Sequence, residues 1–176
     1  AIQDLSENAD HVTIQTPYVI CNSYMYNVLQ GISDHGKLQI VLNAVEKGSN
    51  PWGCTDYLNQ KKRILETGAD VYELMNDYPV HTKAVLVDDR LSVVGSYNLD
   101  MRSTYLDTEL MLVIDSEKLN QQIRETESDY MEKSKEVLAN GQETEGAKYQ
   151  GKVLGWKKKL YYGMLRIIIR PLRQLL

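Results

Sequence analysis

Three strand-like runs alternating with two helix-patterned segments constrain this chain more than any other feature. His11 to Thr16 (HVTIQT) alternates polar and β-branched residues and stops at Pro17. Asn22 to Ser33 places Tyr24, Val28, Leu29 and Ile32 at helical spacing, with Asn22 as a cap and Gly36 past its end. Lys37 to Asn43 (KLQIVLN) is again a strand. Gly48 to Gly53 (GSNPWG) carries turn residues throughout and reads as a loop. Thr55 to Thr67 reads as a helix closed by Gly68, and Asp70 to Met75 as a strand. A short helix over Ile2 to Ala9 precedes them. Strand, helix, strand, helix, strand is the order that builds parallel pairing with covering helices.

The pattern then changes. Thr82 to Val87, Leu91 to Gly95 and Thr108 to Ile114 read as strands with short links, and Asp89-Arg90 is tight enough for a hairpin. Glu117 to Leu138 reads as one polar helix. The expected fold class is α/β: a mixed, mostly parallel central sheet of five to seven strands flanked by helices, plus a C-terminal amphipathic helix. The expected organisation is a domain over 1–139, a Gly/Glu/Gln-rich linker over 140–150 and a basic tail over 151–176.

Composition matters for partners. The 176 residues carry a net charge of -4. Lys152, Lys157, Lys158, Lys159, Arg166, Arg170 and Arg173 give the tail +7 with no acid, which leaves -11 on the body before it. An acidic body argues against a nucleic-acid groove, so no nucleic acid is expected. Cys21 and Cys54 make no disulfide framework and read as reduced apolar residues. With His11, His35 and His81 they lack metal-ligand spacing, so no metal or cofactor site is expected. In the tail, Leu160, Met164, Ile167 and Ile168 fall near one helical face, with Trp156, Tyr161 and Tyr162 as interfacial residue types. Its longest charge-free run, Leu160 to Leu165, is far short of the ~20 residues a span needs. A cationic segment lying on an anionic membrane surface is expected, with Pro171 breaking or kinking it; the competing reading is a helix docked on the protein itself.

Chemistry concentrates in His81 to Asn98, HTKAVLVDDRLSVVGSYN. On a strand, His81 and Lys83 share a face. An imidazole and an ammonium at the start of an apolar strand are costly to bury without an anion. A hairpin would return Gly95-Ser96 and Asn98 to the same sheet end. Ammonium, hydroxyl and carboxamide together suit a phosphate. The spacing fixes six positions, His81, Lys83, Asp88, Gly95, Ser96 and Asn98, a pattern expected by chance roughly once in tens of millions of starts.

This pattern resembles the HKD motif of the phospholipase D superfamily. NLDMRSTYLDTEL (Asn98 to Leu110) is similar to the segment after the motif in bacterial cardiolipin synthases, and TPYVI (Thr16 to Ile20) and ILETGADVYEL (Ile64 to Leu74) resemble their second half. The resemblance implies metal-free phosphodiester chemistry. One histidine attacks phosphorus, and a second protonates the leaving alcohol and then activates the acceptor. The residues it implies are catalytic His81, Lys83, Asp88, Asn98 and Glu109, with Lys83, Ser96 and Asn98 on the phosphate. Glu109 is expected to hydrogen-bond the motif histidine. Asp88 is expected to hold structure, since a carboxylate repels phosphate.

Such chemistry needs two motifs. His35-Gly36-Lys37 mimics the first half, but Leu42 stands where the Asp belongs and no Gly-Ser-x-Asn follows. The second motif is therefore expected in an N-terminal half preceding Ala1 or in a homodimeric partner, and His81 is assigned as general acid/base. Phosphatidylglycerol at a bacterial cell membrane, on the cytoplasmic face, is the expected substrate. A phospholipase D-type hydrolase and a silent half-site scaffold are the competing readings.

Overall fold

A computed structural model describes residues 2–173 of the chain. The elements in order are α1 (Ile2–Ser6), β1 (His11–Gln15), β2 (Val19–Ile20), α2 (Ser23–His35), β3 (Lys37–Asn43), α3 (Pro51–Leu65), β4 (Asp70–Leu74), β5 (Ala84–Val87), β6 (Leu91–Gly95), β7 (Leu99–Asp100), α4 (Met101–Tyr105), β8 (Met111–Asp115), α5 (Glu117–Glu132), β9 (Ser134–Val137), β10 (Glu143–Glu145) and α6 (Trp156–Leu172). The main sheet has eight strands in the order β10-β9-β4-β3-β1-β5-β6-β8, and β2 and β7 form a small parallel pair. Its centre, β1, β3 and β4, is parallel; every pairing outward from there is antiparallel. The α/β class with a mixed sheet and a C-terminal helix is as expected.

Alternation along the strands explains the layers. Val12 and Ile14 of β1 and Leu38 and Ile40 of β3 pack with Leu29 and Ile32 of α2 and with Tyr57 and Ile64 of α3. Val41, Tyr72 and Leu74 face the other way, against Val80 and Tyr130 and Met131 of α5. The α5 side is more polar. The His11 ring nitrogen Nε2 meets Gln39 Oε1 at 2.7 Å, Gln39 Nε2 donates to Tyr72 Oη at 2.9 Å, and Arg124 donates to Asn120 Oδ1 at 2.8 Å. His11 is thus a sheet residue with structural partners.

Helix boundaries follow from caps. Asn22 Oδ1 accepts from Met25 N at 3.0 Å. The expected loop over Gly48 to Gly53 is in part a helix start. Asn50 Oδ1 accepts from Trp52 N and Gly53 N at 3.1 and 3.2 Å, and Pro51 opens α3. Asn-Pro reads as a turn, but it is equally a cap followed by the favoured first helical residue. Gly68, with φ +88°, turns the chain after α3.

The long polar helix expected to reach Leu138 ends at Glu132, because Ser134–Val137 leaves it to pair with the open edge of β4. The expected linker contributes β10, which pairs with β9 at residues 143–145. The tail forms a helix through Pro171, which sits in its last turn, where the lost hydrogen bond does not end it before Leu172. One stripe of α6, Tyr162, Leu165 and Ile169, is buried, and α6 packs on α3. Arg173 Nε reaches the buried Asp56 Oδ1 at 2.7 Å, and Arg166 Nε donates to Asn59 Oδ1 at 2.9 Å. The opposite side, including Leu160, Met164, Ile167 and Ile168, is exposed. The chain's own surface and an open apolar face thus share one helix.

Candidate active site

The parallel strands β1, β3 and β4 end at Gln15, Asn43 and Leu74, and the candidate residues gather at that carboxyl edge. β5 begins at Ala84, so His81 and Lys83 lie in the irregular segment entering it rather than on the expected strand. A reason is Asn43. Its side chain donates to Val80 O at 2.8 Å and to Pro17 O at 3.2 Å and accepts from Val80 N at 2.8 Å. A side chain that mimics a strand partner holds the backbone one residue before His81. The sequence signal was the lone polar residue closing KLQIVLN.

His81 and Lys83 meet directly. Lys83 Nζ donates to His81 Nδ1 and, at 2.8 Å, to His81 O. An ammonium has no acceptor, so Nδ1 accepts here and a neutral ring carries its proton on Nε2. Lys83 is buried and His81 exposed. Burial lowers the Lys83 pKa, opposed by the nearby carboxylates of Glu109 and Asp100. Lys83 is the cation of this cluster, and Glu109 and Asp100 partly balance its charge.

The hairpin brings the second half of the motif back. Ala84 pairs with Val94, and Gly95 N donates to Lys83 O at 3.3 Å. Ser96 follows, with its hydroxyl donating to Glu109 Oε2 and accepting from Leu110 N at 3.0 Å. Glu109 therefore holds Ser96, not His81 as expected, and the His81 ring is bonded by Lys83 instead. Gly95 is required by space. A Cβ there would lie 2.0 Å from Leu110 O and 2.6 Å from Met111 Sδ. We expect Gly95→Ala to cost about 1–3 kcal/mol in urea unfolding, as overpacking does, and to displace Ser96; an unchanged midpoint would contradict this contact.

Asn98 is on the same returning loop, but its side chain does not reach His81 or Lys83. Asn98 Nδ2 lies 3.4 Å from Ser103 Oγ, and its buried Oδ1 has no hydrogen-bond partner among the described residues. Asp100 caps α4 by accepting from Ser103 N at 2.6 Å, so it aims Ser103 at Asn98. Arg102 pairs with Asp107 at 3.0 Å. The Asp100-x-x-Ser103 spacing is a capping signal that was available in the sequence. Asp88 belongs elsewhere. It sits in the β5–β6 turn at φ 46°, and its Oδ1 accepts from His11 N at 2.9 Å. Five residues of strand put it about 16 Å from Lys83, so its carboxylate clips the turn to β1 and does not join the cluster.

The sequence profile described as "Cardiolipin synthase, PLD-like domain" matches residues 1–129, and the chain belongs to that family. Cardiolipin synthase A of Cronobacter sakazakii is 42% identical over 129 residues, covering 72% of this chain and 26% of that protein. The Wigglesworthia glossinidia brevipalpis protein of the same name is 29% identical over 122 residues, covering 68% and 24%. The chain thus spans about a quarter of the length of these relatives. In fold it is similar to phosphatidylserine synthase of Haemophilus influenzae, with TM-score 0.68, 18% identity and coverage of 99% of this chain and 44% of that one. It is likewise similar to the phospholipase D family member Nuc of Salmonella typhimurium, with TM-score 0.63, 17% identity and coverage of 77% and 87%.

Proposed function

We propose that the chain supplies one half of a phosphatidyltransferase site that moves a phosphatidyl group from phosphatidylglycerol to an alcohol. The observation that carries this reading is the buried Lys83 ammonium bonded to the exposed His81 ring, beside the Ser96–Glu109 pair. A phosphoryl group entering there offers Lys83 Nζ better acceptors than Nδ1, which releases the imidazole to turn. The family membership and the cardiolipin synthase relatives support the lipid class.

In this reading a histidine of the second motif attacks phosphorus, and the bond from phosphorus to the glycerol oxygen breaks. His81, taken to the imidazolium by a solvent proton on the Nδ1 that Lys83 has released, gives one proton to the departing glycerol oxygen and is left as the neutral ring. The hydroxyl of a second phosphatidylglycerol then loses its proton to His81 and attacks phosphorus, breaking the phosphorus–nitrogen bond. Lys83 neutralises phosphoryl oxygens, and Ser96 and Asn98 add hydrogen bonds. The second motif is supplied in cis by a longer chain or by a symmetric partner.

The test is conversion of phosphatidylglycerol by this chain assembled with its second motif, in one polypeptide or as a homodimer. The expected products are cardiolipin and glycerol, with EDTA present or absent. Phosphatidic acid with no cardiolipin would replace transfer by hydrolysis, and no conversion would overturn the reading.

We further propose that α6 holds the chain on the anionic surface of the bacterial cell membrane, on its cytoplasmic face. Among the described residues no helix is long and apolar enough to cross a membrane. The open face of α6 combines Leu160, Met164 and Ile167, which are 59–71% exposed, with Lys157 to Lys159 and Arg170. Deleting the tail would also strip the cover from α3, so point changes are the cleaner test. Leu160→Ser, Met164→Ser and Ile167→Ser together are expected to weaken flotation with phosphatidylglycerol vesicles about 100-fold or more, since each apolar side chain contributes about 1.5–3 kcal/mol when fully buried and an interfacial helix buries it only in part. Undiminished flotation would remove α6 as the anchor.

A further inference from the structure

We infer that the apolar cavity behind Lys83 seats one acyl chain of the phospholipid whose phosphate the site grips; this rests on the phosphatidyl-transfer reading. The cavity measures about 460 Å³, within the range of small-molecule sites. Ile14 of β1, Met25, Leu29 and Ile32 of α2, and Val85 of β5 make its walls. No Asp, Glu, Lys, Arg or His lines it. The lining is uncharged and mainly apolar, with neutral polar side chains such as Gln15 and Thr16 among it.

Its position adds a second argument. Ala84 and Val85, which line it, directly follow Lys83, and Tyr97, which also lines it, stands between Ser96 and Asn98. Lys83 immediately precedes the strand that carries Ala84 and Val85 into the wall. A chain in this cavity therefore leads straight to the residues proposed to hold phosphate. The exposed wall residues are Gln3 and Tyr24, joined by a 2.9 Å hydrogen bond from the phenol to the carboxamide. Those two mark the open rim, while Gln15, Thr16 and Ser103 are buried polar residues of the lining among the apolar walls. Met25 lets the wall adapt to chain length.

Two experiments on the assembled two-motif enzyme test this. Val28 lines the cavity from α2 and is only partly buried, so Val28→Trp fills the space from its wall. The variant is expected to raise KM for dioleoyl-phosphatidylglycerol at least tenfold and to leave turnover of dihexanoyl-phosphatidylglycerol within twofold. A folded variant that treats both lipids alike would overturn the inference. Phosphatidylglycerol bearing a diazirine near the end of one acyl chain is then irradiated with the unmutated protein and the labelled peptides mapped. Label in residues 25–32 is the expected result, and it does not depend on how Val28→Trp folds. Label confined to 156–172, or none on α2, would overturn the proposal and leave the cavity to a protein segment. If the protein makes no cardiolipin, the transfer reading fails by itself, and the label still reports on the cavity.

Discussion

His81→Ala in the assembled two-motif enzyme is expected to lower phosphatidyl transfer by about 10³-fold or more, the range lost with a general acid–base group that also completes a covalent cycle. The geometry sets up a sharp contrast. His81 is exposed at the carboxyl edge of the parallel strands, with Nδ1 held by Lys83, so it is free to meet a substrate but held in orientation. Asp88 belongs to the same motif in sequence, yet it lies at the opposite end of β5 and clips the turn to His11 N. Asp88→Ala is therefore expected to cost stability, about 1–2 kcal/mol for a charge-assisted bond and a left-handed residue, while the folded enzyme keeps transfer within about threefold. Glycerol release measured under single-turnover conditions separates the two. His81→Ala with activity within tenfold of the unmutated protein would end its assignment as acid/base. Asp88→Ala that folds but is as inactive as His81→Ala would return Asp88 to the chemistry.

The two variants also mark what the amino-acid sequence can and cannot say. Hydrophobic period was sufficient for β1, β3, β4 and β6, whose neighbours on both sides are fixed by burial. It failed at the edges. Ser134–Val137 looks like the continuation of α5 because its charges suit a helix; only the unpaired edge of β4 makes it a strand. Motif spacing found His81, Lys83 and Ser96, since a hairpin converts spacing into proximity, and the family resemblance pointed to Glu109. It could not say that Glu109 would bond Ser96 and Lys83 would bond His81, because partner choice depends on side-chain directions set by backbone outside the strands. Asn43, which aligns that backbone, stood out only as the polar end of KLQIVLN; its role needs Pro17 and Val80, far away in sequence.

The polar layer beneath α5 should make folding pH-dependent through a single carboxyl. Glu127 lies on α5, 3% exposed, and its Oε2 has no partner among the described residues. Burial pushes its pKa up from 4.5 to about 8. In the unfolded chain the group ionises at its ordinary value. Between about pH 4.5 and 8 the folded chain therefore binds one more proton than the unfolded one. Stability is full below the unfolded pKa and falls as pH rises toward the folded one, by up to about 1.4 kcal/mol per unit. The whole loss is on the order of 4 kcal/mol, less any relaxation that lets water reach the carboxylate. Glu127→Gln keeps the shape and removes the titration. Urea unfolding of the two chains is expected to give similar stability near pH 5, with the variant ahead by several kcal/mol at pH 8. Parallel curves across that interval would show that α5 opens enough to solvate Glu127. The docking of α5, which also carries the Arg124 and Asn120 bonds over β1 and β6, would then be far looser than its buried face implies.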